Sequence, residues 1–113
     1  MLTRIMYIES KTGGITGPAR IGRVRFSKSR RSLHYGGRTF GSLNGHGFKA
    51  NYFDLETGAY YWISGCKRDG TDALYSTTVE VDEDVRDEYW RTIRNRPDLA
   101  ETTSFRCSGK YSK

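Results

Sequence analysis

The sequence predicts a mainly β (α+β) fold: a small curved antiparallel sheet or partly open barrel of about six short strands, with one C-terminal amphipathic helix. Three observations carry that expectation. Short runs with two-residue apolar alternation recur between Gly-rich turns. Only one stretch, near residues 82 to 97, has the start and stop signals of a helix. Strands and helices do not alternate, which disfavours a parallel βαβ sheet. The 113 residues suffice for one ordinary domain. The apolar fraction is low at 35%, yet eight Tyr, five Phe and two Trp supply large area per residue, so the core is built from rings.

The elements follow in order. Arg4 to Ile8 alternates as a strand, and Lys11 to Pro18 is a loop rich in glycine. In the strand Arg20 to Phe26, Gly22, Val24 and Phe26 share one face and Ile21, Arg23 and Arg25 the other, so two arginines project together. Ser27 to Arg31 is a basic turn. Ser32 to Tyr35 and Arg38 to Leu43 flank Gly36-Gly37, a two-residue hairpin signal because both positions accept positive φ. Phe48 to Asp54 and Ala59 to Ser64 bracket a second hairpin through residues 55–58, and Thr78 to Val81 is a last short strand. Tyr60, Tyr61, Trp62 and Ile63 are apolar on both faces, as in a central strand; if Tyr60 and Trp62 faced outward they would form an interaction patch.

Asp82 fits a helix N-cap, and Glu83 and Asp84 follow where the dipole favours anions. Val85, Tyr89 and Ile93 make the apolar stripe with Trp90 beside it, Asp87 and Arg91 pair at i,i+4, and Pro97 stops the helix. Residues 1–96 therefore form a single β-rich domain with a helix at about 83–96. Residues 97–113 hold few apolar side chains and read as a flexible polar tail.

Charge placement says more than the net charge of +6. From Ser10 to Phe53 there is no Asp or Glu, while nine Lys and Arg fall in that run. Thirteen acids scattered at random would leave a preset window of that length empty with a probability of about 0.005, so the charges are segregated. Arg23, Arg25, Lys28, Arg30, Arg31 and Arg38, with Tyr35 as a ring at the hairpin tip, are the candidate nucleic-acid-binding residues: phosphates need cations on one surface and bases need rings. The same cations also suit a solvated face that guards an edge strand.

Two stretches, residues 21–29 (IGRVRFSKS) and 52–65 (YFDLETGAYYWISG), together with the block at 82–90, resemble a family of short uncharacterised bacterial proteins over roughly residues 5–96. Some members bear the name of a thiamine-dependent isoprenoid-pathway synthase. The chain lacks the Gly-Asp-Gly diphosphate and metal motif of such enzymes, and 113 residues cannot form their several domains. The resemblance thus implies no activity.

Other chemistries lack their patterns. Gly45 to Ala50 matches a relaxed G-x-G-x-x-A, but no helix signal follows it. His34, His46, Cys66 and Cys107 are isolated from one another, so neither a metal nor a cofactor is expected. No export signal is present, which points to a cytoplasmic protein with unbridged cysteines, and no window is apolar enough for a membrane helix. Cys66 beside Lys67 and Arg68 has the neighbours that lower a thiol pKa. The chain reads as a small cationic binding module rather than an enzyme. Its partner is nucleic acid, bound non-specifically through a basic β-hairpin face, or an acidic protein docked in the manner of immunity or adaptor proteins. A metal-independent ribonuclease built from His34 or His46, Glu56 and arginines is a third reading.

Overall fold

The computed structural model describes residues 2–14, 16–45, 49–109 and 111. Its strands are β1 (Thr3–Ser10), β2 (Ala19–Phe26), β3 (Ser32–Tyr35), β4 (Arg38–Ser42), β5 (Tyr52–Asp54), β6 (Tyr60–Gly65), β7 (Thr77–Val81) and β8 (Ser104–Cys107). β1 to β6 pair antiparallel in chain order, and β1 also pairs with β6, which closes a six-stranded barrel. The expected curved sheet is therefore a closed ring with two extra strands. Those two are attached through β2, whose free edge is divided: Arg25 and Phe26 pair with β3, whereas Ala19 to Ile21 pair in parallel with Val79 to Val81. β8 then adds antiparallel to β7. The expected strand at 48–54 is shorter, Tyr52–Asp54, and His46, Gly47 and Phe48, half of the G-x-G-x-x-A stretch, lie outside the described residues.

Strand alternation sorts the apolar residues into two cores. Met6 and Ile8 from β1, Val24, Leu33, Phe40 and Ile63 point into the barrel. Ile5 and Tyr7, one position off, join Ile21, Val79, Val81 and the helical residues Val85, Tyr89 and Trp90 outside it. The run at 60–63 divides in the same way: Ile63 packs in the barrel with Tyr61 against its core, Trp62 packs on the outer core, and Tyr60 is 55% exposed. Arg23 and Arg25 share the exposed face of β2, as the alternation requires.

Residues 97–109 are not a tail. Pro97–Leu99 is a short 3-10 turn, and β8 pairs with β7 from Thr77–Cys107 to Glu80–Ser104. Two apolar residues at i,i+2 suffice for an edge strand with one buried face: Cys107 is buried and Phe105 stacks with Tyr89 at 6.1 Å and meets Trp90 edge-on at 5.4 Å. A sparse apolar count concealed that.

The helix is shorter than the expected 83–96, ending at Ile93 with Asn95 at φ 53° before Pro97 is reached, and it is irregular. Glu83–Val85 is 3-10, Arg86–Glu88 α and Tyr89–Ile93 π-helical, with the Arg94 N–H donating to the Tyr89 carbonyl at 2.9 Å. The wider turn puts the successive rings of Tyr89 and Trp90 into one core, 5.0 Å apart. Asp87 and Arg91 form the expected pair at 2.7 Å. Asp82 does not cap the helix with its side chain; its carboxylate is taken by Arg20 and Tyr35 across the barrel wall. A charged guanidinium and a phenol compete better for it than free amides do.

Candidate nucleic-acid interface

The barrel has two ends, and the cations of the acid-free run are divided between them. One end is formed by the β2–β3 turn, the last residue of β4 and the first of β5. The turn is closed by the Ser27 N–H to the Ser32 carbonyl (2.9 Å), the Arg30 N–H to the Ser27 carbonyl (2.9 Å) and the Ser32 N–H to Ser27 Oγ (3.1 Å). With its own polar groups satisfied internally, the turn leaves Lys28, Arg30 and Arg31 exposed. Arg30 sits at φ 62°, a left-handed conformation that turns its side chain away from the strand direction. A groove of 460 Å³ runs between Arg30, Arg31, Ser42, Asn44 and Tyr52, and another of 500 Å³ lies beside Leu2, Phe26 and Lys28.

Arg25 lies two residues before that turn on the outer face of β2, opposite His34 of β3. Together with Arg23, Arg38 and Thr39 they line a third groove, of 450 Å³, in which His34 Nδ1 is 3.1 Å from Thr39 Oγ1. Among the described residues, Arg25, Lys28, Arg30 and Arg31 have no carboxylate at ion-pair distance.

The other end is a mouth formed by the last residues of β1, the first of β2 and the Gly36-Gly37 hairpin tip. Its cations are tied down. Arg20 donates from Nε to Asp82 (2.6 Å) and from Nη1 to Glu80 (2.8 Å), and Arg38 Nη1 donates to Asp54 (2.7 Å). Arg23, on the outer wall, pairs with Glu88 at 3.3 Å. The Asp82 hydrogen bond holds the Arg20 pKa above its ordinary value, and the same carboxylate accepts from the Tyr35 hydroxyl at 2.5 Å. Burial, then Asp82, raises the Tyr35 pKa. Asp54 is buried; it also accepts from the amides of Glu56 (2.8 Å) and Thr57 (3.3 Å), so Arg38 and these turn amides keep its carboxyl below the usual range.

Of the seven residues singled out by charge and aromaticity, four stand as free cations, two are ion-paired, and Tyr35 turns inward. Its half-buried ring lies against Gly22, where an added methyl would run into both the ring and the Asp82 carboxylate. It is therefore part of the barrel wall and not an open stacking platform. Sequence reasoning missed Arg20, Asp54 and Asp82 as the groups that organise the mouth. Asp82 is 62 residues from Arg20, and only the β2–β7 pairing brings them together. It also missed two rings, Tyr52 in the turn-end groove and Phe53 on the outer wall; Tyr60, read as part of an interaction patch if it faced outward, is exposed.

The ribonuclease grouping is not assembled. His34 sits on the outer face of β3, Glu56 is in the β5–β6 turn with no hydrogen bond to His34 among the described residues, and His46 lies outside them. The thiol of Cys66 is not activated: burial pushes its pKa up, and Asp72 adds to the rise. Cys66 and Cys107 are both free thiols, Cys107 donating to the Gly70 carbonyl at 3.0 Å. Among the described residues no helix is long and apolar enough to cross a membrane. No protein-family model, curated protein or solved structure matches this chain.

Proposed function

We propose that this protein is a binding module that engages nucleic acid non-specifically through the β2–β3 turn and the adjoining outer face of β2. The observation that carries the reading is the set of four exposed cations, Arg25, Lys28, Arg30 and Arg31, that have no carboxylate partner among the described residues. A cation already bound to a carboxylate gains little from a phosphate, because it must exchange one partner for another. A free one displaces condensed counterions, and their release is the main source of non-specific affinity. Arg23 and Arg38 lie in the same groove but serve the fold first.

Fluorescence anisotropy with labelled single- and double-stranded DNA and RNA across a salt series tests this. Four phosphate contacts give a log–log slope of about −2.8 to −3.6, from roughly 0.7 to 0.9 per contact. Dissociation constants weaker than about a millimolar at low salt for all four ligands would remove the reading, since cationic proteins ordinarily bind more tightly than that.

One observation favours the acidic-protein partner as a second reading. Leu55 and Tyr60 are each 55% exposed, and Leu55 and Phe53 lie over Gly41, at 2.9 and 3.1 Å from where its Cβ would be. That apolar patch borders Thr39 and so adjoins the free-cation groove. An apolar surface beside cations suits a protein as well as a base. Salt-insensitive or absent oligonucleotide binding passes the face to that partner.

A further inference from the structure

The mouth at the Arg20–Arg38 end has an interior that the basic turn does not use. A cavity of 320 Å³ opens there, at the small end of the roughly 300–1,000 Å³ typical of small-molecule pockets. Ile8 and Phe40, 4% and 0% exposed, form its floor. Pro18, Tyr35 and Tyr61 form its sides, with the Tyr61 and Phe40 rings 4.7 Å apart and inclined at 65°. Arg20 and Arg38 border it.

We propose that this mouth binds one neutral, planar heteroaromatic ring, of which a nucleobase is the nearest chemical type. Three features narrow the ligand. The first is charge: the two guanidiniums are matched by three carboxylates, Asp54, Glu80 and Asp82, so no net positive charge is left to recruit an anion. The second is shape: the Tyr61 ring and the flat guanidiniums favour a ring that can stack on them. The third is polarity. Arg38 commits one of its five N–H donors to Asp54, and a hydrocarbon entering the mouth would strip water from the others without replacing it. A heterocycle with ring nitrogens and carbonyls accepts those bonds and still covers Ile8 and Phe40. The inference does not rest on the phosphate-binding reading, because a free nucleoside has no phosphate.

The hairpin tip joins the two surfaces. Tyr35, Gly36 and Arg38 line both the mouth and the outer groove that contains Arg25, so a strand in that groove could place one base over the tip into the mouth. Gly36 and Gly37 present no Cβ there and occupy φ 59° and 78°, where side chains are strained.

The experiment is an NMR titration of the wild-type protein with the free nucleosides of adenine, guanine, cytosine and uracil, with benzoate as the anionic control. At least one nucleoside is expected to shift the Ile8 methyl, Gly36 amide and Tyr61 signals with a dissociation constant near or below about a millimolar, a value typical of modest ligand efficiency. Salt should leave that constant unchanged, and so should reversing Lys28, Arg30 and Arg31 to Glu, which would remove most of the phosphate binding; the two readings therefore fail separately. Tyr61→Leu, checked for folding by its spectrum, should weaken the nucleoside about fivefold or more if the ring stacks. A short single strand distinguishes the source of the ring: mouth and turn signals move together for a strand-borne base, and only a free nucleoside moves the mouth signals otherwise. No shift at Ile8 and Gly36 with any nucleoside up to about 10 mM, or tighter binding of benzoate than of every nucleoside, overturns the proposal.

Discussion

The two ends of the barrel carry similar numbers of arginines and lysines and use them in opposite ways. At the mouth, Arg20 and Arg38 are fixed by Glu80, Asp82 and Asp54, and the Asp82 carboxylate also fastens Tyr35 to β2. At the turn end, Lys28, Arg30 and Arg31 stand in solvent with no acidic neighbour among the described residues. The difference comes from what each end meets. β7 and the β5–β6 turn, which belong to the acid-bearing half of the chain, reach the mouth; among the described residues no carboxylate of that half pairs with the turn. A charge count along the sequence treats both sets alike, whereas the fold ties one set to carboxylates and leaves the other exposed to solvent.

The largest expected effect would break this comparison outright if it failed. The triple variant Lys28→Glu, Arg30→Glu, Arg31→Glu should lose about 100-fold or more in oligonucleotide affinity. Its salt slope should fall to about −0.7 to −0.9, one remaining contact, with little change in melting temperature because solvated surface charges contribute little to folding. Anisotropy and thermal unfolding on one sample check both parts. Equal loss on removing Arg38 would show that the two ends are not functionally distinct.

Gly22→Ala tests the structural end. Its methyl would meet the Tyr35 ring and the Asp82 carboxylate, so the Arg20–Asp82–Tyr35 cluster must shift. The expected cost is about 2–3 kcal/mol, seen as a melting temperature lower by roughly 10 °C, with turn-end binding retained.

A smaller effect separates stability from binding through pH. Asp72 is buried, accepts from the Lys67 amide at 2.6 Å through Oδ1, and has no partner for Oδ2 among the described residues. Burial pushes its pKa up to about 6 from 3.8. The folded state therefore holds a proton that the unfolded state releases, and the contribution is stabilising below about pH 4 and is lost as pH rises to about 6. Asp72→Asn keeps an acceptor for Lys67 and removes the charge. It should be more stable than the wild type by about 2 kcal/mol near pH 7 and equal to it near pH 4, as denaturant melts at the two pH values would show. Oligonucleotide binding through guanidiniums should not follow this window, since arginine keeps its proton throughout.

The smallest effect belongs to Arg23, which shares the outer groove with Arg25 but pairs with Glu88, both side chains being more than a third exposed. Arg23→Ala should change stability by less than about 0.5 kcal/mol in thermal melts. Its effect on affinity should be smaller than that of Arg25→Ala, a comparison that sharpens the distinction between paired and free cations on one strand.

Much of the framework was legible in the chain itself. Two-residue alternation placed β1 to β4 and β6 to within a few residues and put Arg23 and Arg25 on one face, because side-chain direction along a strand is a local property. Gly36 and Gly37 set the hairpin through their φ preference, whereas the helix ends at Ile93, with Asn95 at φ 53°, before Pro97 is reached. The composition of the acid-free run is likewise local, and the turn cations it marks, Lys28, Arg30 and Arg31, are exposed. Local reasoning did not reach β8, the role of Asp82 or the fate of Tyr35. β8 has only Phe105 and Cys107 to bury and exists because β7 offers an open edge and the helix a covering surface. Asp82 has the sequence of a cap, but the parallel pairing of β2 with β7 brings Arg20 and Tyr35 to it first. Which cations are free and which are bound is decided by partners 16 to 65 residues away, as in Arg38–Asp54 and Arg23–Glu88. A side chain's direction depends on its own backbone, but its electrostatic partner depends on register and barrel closure, and these arise only when distant strands pair.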